Sequence, residues 1–73
     1  MRTKFPYDIT YEQTKNRVWA ARAFSDKHLR VGQALVNQYL MSKELEDAIW
    51  EDDSIESVST KIYQHYHQEG YQN

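Results

Sequence analysis

Carboxylates are the most concentrated reactive groups in this sequence. Seven of them lie between Glu44 and Glu56, with no lysine or arginine among them. Grouped carboxylates can bind Ca²⁺ or Mg²⁺, but the run EDDSIE lacks the alternating oxygen ligands and the central glycine of an EF-hand loop. Two interpretations stay open. The cluster is either a solvated surface that caps helices, or a surface that docks on a basic patch of another protein through Glu51, Asp52 and Asp53.

The histidines and hydroxyl residues form no catalytic pattern. His65 and His67 are two residues apart, which on a helix points them in different directions, and no His-Glu-x-x-His motif is present. No serine lies in a Gly-x-Ser-x-Gly motif. The chain has no cysteine, which excludes disulfides and thiolate chemistry. We therefore predict no enzyme activity, no cofactor and no metal, and we expect His65 to be a hydrogen-bonded residue at the edge of the core.

The two parts of the chain carry opposite charge. Up to Lys43 there are eight lysines and arginines against three acids, for a net charge of +5, whereas from Glu44 onward one lysine opposes eight acids, for a net charge of −7. Such asymmetry indicates either attraction to a charged partner or complementary packing between helices. Arg17 and Arg22 are candidate auxiliary contacts to nucleic acid that a partner already holds.

The stretch that organises the chain is residues 25–42. Its apolar period predicts a helix of about four turns with Leu29, Val36 and Leu40 on the buried face. Ser25 or Asp26, at its start, is the predicted N-cap. Gly32 lies within the apolar face, where a glycine costs about 1 kcal/mol relative to alanine. We expect the close approach of another helix at Gly32 to offset this cost.

A second interpretation of the same stretch is a DNA-binding helix-turn-helix. Val31 and Gly32 would form the turn, and residues 33–40 would form the recognition helix. That helix has no lysine or arginine, and the acidic half of the chain would repel phosphates. This hypothesis stays as an alternative.

An extended arm and a first helix precede this stretch. Residues 1–9 alternate between apolar and polar positions, and Phe5, Tyr7 and Ile9 are the candidate anchors for a partner, unless the arm packs them on its own helices. The capping-box spacing of the next residues predicts a helix from Tyr11 to about Phe24. Trp19, in this helix, lies outside the inward stripe.

Two interpretations of Trp19 stay open. Either a neighbouring helix covers its side chain, or Trp19 is an exposed anchor for a partner, since tryptophan is over-represented among residues that dominate binding energy. The first predicts a buried indole and the second an exposed one.

Two shorter helices are predicted after this stretch. Ser42 is the predicted N-cap of a helix over residues 43–50. Asp53 and the glutamate three residues later have capping-box spacing, which predicts a fourth helix ending near His67. Gly70 is the predicted terminator, and residues 70–73 are a predicted frayed tail.

Size and composition favour a single helical domain. The chain has 73 residues, enough for one small core. The predicted fold class is all-α, a bundle of about four short helices with an extended N-terminal arm. No apolar run is long enough to span a bilayer, and the start of the chain lacks the apolar region of a signal peptide, so we expect a cytoplasmic protein without membrane contact. We expect a monomer or a weak oligomer.

The run RVGQALVNQYLMSKELEDAIWEDDS resembles a pattern found in small proteins of tailed phages, in which Arg-x-Gly-Gln is followed by an asparagine and then an acidic stretch. The length and the cysteine-free composition also resemble those of small host-takeover regulators of lytic phages. The resemblance implies binding to the amino-terminal part of the largest catalytic subunit of host RNA polymerase. It further implies interference with sigma-dependent initiation and readthrough of intrinsic terminators.

Together these observations predict a non-catalytic protein that occupies a surface of a larger assembly, with host RNA polymerase as the preferred partner. One alternative is an anti-defence inhibitor whose carboxylates imitate the phosphates of DNA. The other is the small helix-turn-helix DNA-binding protein.

Overall fold

The computed structural model describes residues 2–6 and 8–68. Its elements are β1 (Thr3–Lys4), α1 (Tyr11–Ala23), α2 (Val31–Gln38), β2 (Tyr39–Leu40), α3 (Lys43–Ile49) and α4 (Ile55–Gln68). α1 packs on α4 and α2, and α3 packs on α4, so the helices form a small bundle. The predicted all-α fold class is confirmed. Among the described residues, no helix is long and apolar enough to cross a membrane. The predicted terminator Gly70 and the predicted tail lie outside the described residues.

The first helix begins as its sequence predicts. The Thr10 hydroxyl accepts a hydrogen bond from the Gln13 N–H (3.1 Å), and the Gln13 side chain accepts one from the Thr10 N–H (3.0 Å), which completes the capping box. The buried face of α1 consists of Thr14, Val18 and Ala21. These side chains are small, so α1 and α4 can approach each other closely.

The second helix is shorter than the predicted helix over residues 25–42, because both ends of that stretch leave the helix. α2 has eight residues. Before it, the Asp26 carboxylate accepts a hydrogen bond from the His28 N–H (2.9 Å), a local turn that competes with helix formation. Arg30 is extended, with φ −74° and ψ 162°, and takes the N-cap position. The prediction that Ser25 or Asp26 caps this helix is therefore wrong.

The far end of the predicted helix is extended as well. β2 pairs in parallel with β1, so that Thr3 lies opposite Tyr39 and Lys4 opposite Leu40. The Phe5 N–H adds a hydrogen bond to the Leu40 carbonyl (3.3 Å). These contacts with a distant segment outweigh the local helical pattern. No strand was predicted, since two residues are too few for alternation to be recognised.

The core combines side chains from every helix with one residue of the arm. Phe5 is only 1% exposed. Its ring lies edge-on to Tyr39 (centroids 4.9 Å apart) and stacks on Tyr66 (6.1 Å). The other buried hydrophobic residues of this cluster are Val18, Ala21, Val31, Leu35, Val36, Leu45, Ile49, Val58 and Ile62.

Gly32 permits a close approach, as predicted. A Cβ atom at this position would lie 1.5 Å from the Ile49 carbonyl oxygen. The Gly32 N–H also donates a hydrogen bond to the Asp52 carbonyl (2.9 Å). The neighbour is therefore the backbone at the end of α3 and in the turn that follows it.

The last two helices begin at hydroxyl caps. The Ser42 hydroxyl accepts a hydrogen bond from the Leu45 N–H (3.2 Å), which confirms Ser42 as the N-cap of α3. At α4, however, the Ser54 hydroxyl accepts from the Ser57 N–H (3.1 Å). The predicted capping box that starts at Asp53 is therefore wrong, and Asp53 has another contact, described below.

Candidate docking surface

The turn between α3 and α4, residues 50–54, gathers polar groups around Asp52. The Lys61 ammonium lies 2.9 Å from the Asp52 carboxylate, whose side chain is only 15% exposed. The Ser57 hydroxyl and the Ser54 N–H donate hydrogen bonds to the same carboxylate. Burial acts to raise the pKa of Asp52, but these three donors and the charge of Lys61 outweigh it and hold the pKa below its ordinary value of 3.8. The charge of Asp52 is thus neutralised within the chain.

Asp53 is engaged with the start of α2. Its carboxylate accepts a hydrogen bond from the Val31 N–H (3.1 Å). Together with the contact from Gly32 to the Asp52 carbonyl, this satisfies two free N–H groups at the amino terminus of α2. Of the three predicted acidic contacts, Glu51 is the one whose exposed carboxylate has no partner among the described residues.

Two further acids of the cluster have a cationic partner, one from the arm and one from the same helix. Arg2 lies 3.4 Å from the Glu46 carboxylate, and Lys43 lies 3.8 Å from that of Asp47. Exposed pairs of this kind contribute at most about 1 kcal/mol each. The pair of Arg2 with Glu46 joins the basic and acidic halves of the chain and favours the interpretation in which they complement each other, whereas the pair of Lys43 with Asp47 is local to α3.

The described apolar anchors of the arm, Phe5 and Ile9, contact the core. The buried Phe5 ring is not available at the surface of the folded chain. Ile9 is half-buried and packs against the core, and Tyr7 lies outside the described residues. The structure thus offers part of Ile9, and none of Phe5, for contact with a partner.

Trp19 is 62% exposed. The interpretation in which a neighbouring helix covers it is therefore wrong. Its side chain borders a groove of ≈ 460 Å³ between the end of α1, the following turn and the start of α4. We call this feature the Trp19 groove; it is lined by Trp19, Arg22, Ala23, Ser25, Lys27 and Ile55. It places an indole, an aliphatic side chain and two cationic side chains around one depression.

The cations at this end of the molecule have no ion-pair partner among residues 2–6 and 8–68. From residue 15 to residue 30 the chain has five lysines and arginines against one acid, Asp26. None of the five forms an ion pair with a described carboxylate, whereas Arg2, Lys43 and Lys61 each do. The acidic half is thus partly neutralised, and the basic charge of α1 and the turn after it faces solvent.

Arg17 and Arg22 lie on different sides of α1. Arg22 lines the Trp19 groove, whereas Arg17 lines a separate groove of ≈ 340 Å³ beside Ile9 and Tyr39. The two residues predicted to contact nucleic acid therefore do not form one patch. In addition, the turn predicted by the helix-turn-helix hypothesis lies inside the first turn of α2.

The histidines have structural neighbours. His65 lies 3.3 Å from the Ser42 hydroxyl, which confirms the prediction of a hydrogen-bonded histidine. The ring of His67 stacks on Tyr63, with centroids 4.1 Å apart. In residues 2–6 and 8–68 no three His, Cys, Asp or Glu side chains are grouped so that they could hold a metal ion.

Sequence reasoning missed Lys27 and Ile55 as neighbours of Trp19. Ile55 was assigned to the core stripe of α4, and the structure places it at the margin, half-buried. Lys27 lies in the loop after α1. No local sequence pattern indicates that a residue of this loop lies beside Trp19. The one available signal is the spacing of Trp19 and Ala23, which puts both on one side of α1.

The candidate docking surface comprises the turn between α3 and α4 and the Trp19 groove. Its polar groups at the turn between α3 and α4 serve as caps and ion pairs. Comparisons with protein-family models, with curated proteins and with solved structures give no match to this chain.

Proposed function

We propose that this chain is a non-catalytic regulator that binds a larger protein and that its target is host RNA polymerase. The observation that carries the proposal is the exposed Trp19 beside Arg22 and Lys27, two cations without a partner in the described chain. Tryptophan and arginine are enriched among the residues that dominate binding energy at protein interfaces. A single exposed aromatic residue is ordinary, so the argument depends on its combination with the groove and the unpaired charge.

The internal use of the polar residues supports a binding role over a catalytic one. Asp52, Ser57 and Lys61 are hydrogen-bonded or ion-paired with one another in the turn that positions α2. A catalytic carboxylate is usually tuned toward a pKa near the working pH, whereas the pKa of Asp52 is lowered from 3.8. The network is thus typical of a structural connection.

The choice of RNA polymerase is supported by the resemblance of residues 30–54 to proteins of tailed phages. On this proposal the chain is phage-encoded and acts in the host cytoplasm. It acts sterically by holding one conformation of the enzyme or displacing one partner. Initiation would be inhibited, and intrinsic terminators would be read through. Arg17 would provide an auxiliary contact to nucleic acid on the polymerase from its own side of α1, whereas Arg22 lines the Trp19 groove and would face the protein partner.

The direct test uses purified bacterial RNA polymerase, with and without sigma factor. The tagged chain should retain the polymerase at low salt. It should reduce transcription from a sigma-dependent promoter and increase the fraction of transcripts that pass an intrinsic terminator. No retention at low salt would contradict the proposal.

The acidic surface needs its own variant, because substitutions of Asp52 or Asp53 would also disturb the fold. The acidic cluster between Glu44 and Glu56 contains three exposed glutamates without a partner among the described residues: Glu44, Glu51 and Glu56. The triple variant Glu44→Gln, Glu51→Gln, Glu56→Gln should remain folded. If the acidic surface also contributes to binding, this variant should retain less polymerase than the wild type. Binding by the wild type should also depend more strongly on salt concentration than binding by the variant.

The two alternative functions have less support from the contacts. A DNA-mimicking surface would need Asp52 and Asp53 to face a partner, but their carboxylates are engaged with Lys61 and Val31. Inhibition of a nuclease that is lost in the triple glutamine variant would favour it. Sequence-selective, salt-sensitive gel shifts by the isolated chain would favour the helix-turn-helix alternative.

A further inference from the structure

The Trp19 groove combines features that define the chemistry of its occupant. Its apolar surface comes from Trp19 and from Ile55 at the start of α4, and Arg22 and Lys27 add two cations. The cavity of ≈ 460 Å³ is comparable in size to a small-ligand site. An occupant therefore needs apolar side chains to enter the groove and negative charge to face its cationic residues.

We infer that the Trp19 groove binds an acidic segment of the partner protein, one that carries apolar side chains between its carboxylates. This inference rests on the proposed function and names the surface and the chemistry of the contact. Charge complementarity carries it, since the groove lies in the part of the chain where cations have no described ion-pair partner. Arg22 is half-buried and Lys27 is exposed, so both can reach carboxylates at the surface.

A protein segment fits the groove better than a nucleic acid. Nucleic acids are held by a track of cations that follows successive phosphates, with aromatic rings for the bases. Here Arg17 lines the other side of α1, which interrupts such a track. Binding of single-stranded DNA is therefore the competing outcome of the test.

The structure offers two matched controls. Phe24 is 86% exposed and also lies at the end of α1, yet it does not line the groove. Phe24→Ala thus removes an exposed aromatic of similar size outside the site. Lys4 and Lys43 are exposed and do not line the groove, so the double variant Lys4→Gln, Lys43→Gln makes the same charge change outside the site as Arg22→Gln, Lys27→Gln makes within it.

The experiment measures binding by the fluorescence anisotropy of a labelled synthetic helical peptide of 15 residues. The peptide has leucines at positions i, i+3, i+4 and i+7, and glutamates at the positions around them. The same peptide with glutamines and a 15-nucleotide single-stranded DNA are the comparison probes. Trp19→Ala should raise the Kd for the acidic peptide by about tenfold or more. Arg22→Gln, Lys27→Gln should raise it by about fivefold and weaken its salt dependence.

Each result decides the inference. Phe24→Ala and the Lys4, Lys43 variant should change the Kd by less than about twofold, as expected for residues outside a contact. Circular dichroism of every variant confirms that it is folded. Absence of binding to the acidic peptide, an equal loss in Phe24→Ala, or tighter binding of the DNA probe through the same residues would overturn the inference.

The same variants separate this inference from the proposed function. If wild-type protein binds the acidic peptide through the groove but not RNA polymerase, the target is wrong and the site stands. If it binds polymerase and Trp19→Ala binds equally well, the regulator proposal stands and the groove assignment fails.

Discussion

Replacing Gly32 with alanine tests the contact that connects α2 to the rest of the bundle. The new Cβ would lie 1.5 Å from the Ile49 carbonyl oxygen. An ordinary van der Waals separation is about 3.5 Å, so the turn after α3 must move by about 2 Å. Backbone atoms define the overlap, and a rotamer change in a side chain cannot relieve it.

The cost follows from the hydrogen bonds that such a movement breaks. The Gly32 N–H would lose the Asp52 carbonyl, at about 1 kcal/mol, and the Val31 N–H would lose the Asp53 carboxylate, at about 1.5–3 kcal/mol. Alanine returns about 1 kcal/mol of helix propensity. The net loss is about 1.5–3 kcal/mol, a large share of the roughly 3–5 kcal/mol that a domain of this size has in total.

Urea unfolding followed by circular dichroism measures this change directly. A loss of this size corresponds to a decrease in Tm of about 6–24 °C for a chain of this length. Asn37→Ala is the matched control, because it adds helix propensity at an exposed position of the same helix and should leave the stability unchanged within about 0.5 kcal/mol. A Gly32→Ala variant as stable as wild type would refute the argument.

Three other changes probe the turn and the core. Asp53→Ala should lower the unfolding free energy in urea by about 1–2 kcal/mol because Val31 loses its cap, while Glu51→Ala should have no measurable effect. The pKa of Asp52 is below 3.8 in the folded chain. The ionised carboxylate therefore contributes fully to the free energy of unfolding above its unfolded-state pKa, and this contribution is lost as the pH falls through the folded-state pKa. The stability difference between wild type and Asp52→Asn should therefore stay constant from about pH 7 to about pH 5 and shrink as the pH falls below about 4; a difference that stays constant below about pH 4 would contradict this. Phe5→Ala should cost about 3–5 kcal/mol and leave mostly unfolded chain by circular dichroism, and a folded variant would show that the arm is dispensable.

Signals contained within one turn of helix were read correctly from the sequence. The Thr10 and Gln13 capping box and the Ser42 cap depend on residues three apart, so their spacing alone predicts them. The glycine in the middle of an apolar face indicated a close neighbour, and the structure shows one at Ile49. The two caps have their cause in residues three apart, whereas the glycine indicated that a neighbour is close and not which segment supplies it.

Contacts between distant segments were not predictable in the same way. The pairing of Thr3 with Tyr39 replaces the last turns of the predicted helix, and neither dipeptide has a strand pattern of its own. Asp53 was assigned to the nearest helix start, although it caps α2, 22 residues earlier in the chain. The sequence also left open whether Trp19 was covered, since its exposure depends on how the neighbouring helices are arranged.

The dependence of α2 on other segments has a consequence for turnover in the cell. Isolated helices of eight residues are unstable in water, and both ends of α2 are held by groups from elsewhere: Asp53 at its start and Arg2 at the Val36 carbonyl (3.0 Å). Opening either contact region therefore releases α2, so partial opening is closely coupled to complete unfolding. Proteases that cleave opened chains follow the equilibrium population of the open form. The lifetime of this protein, and hence the amount present to act, should then be set by the turn that holds α2.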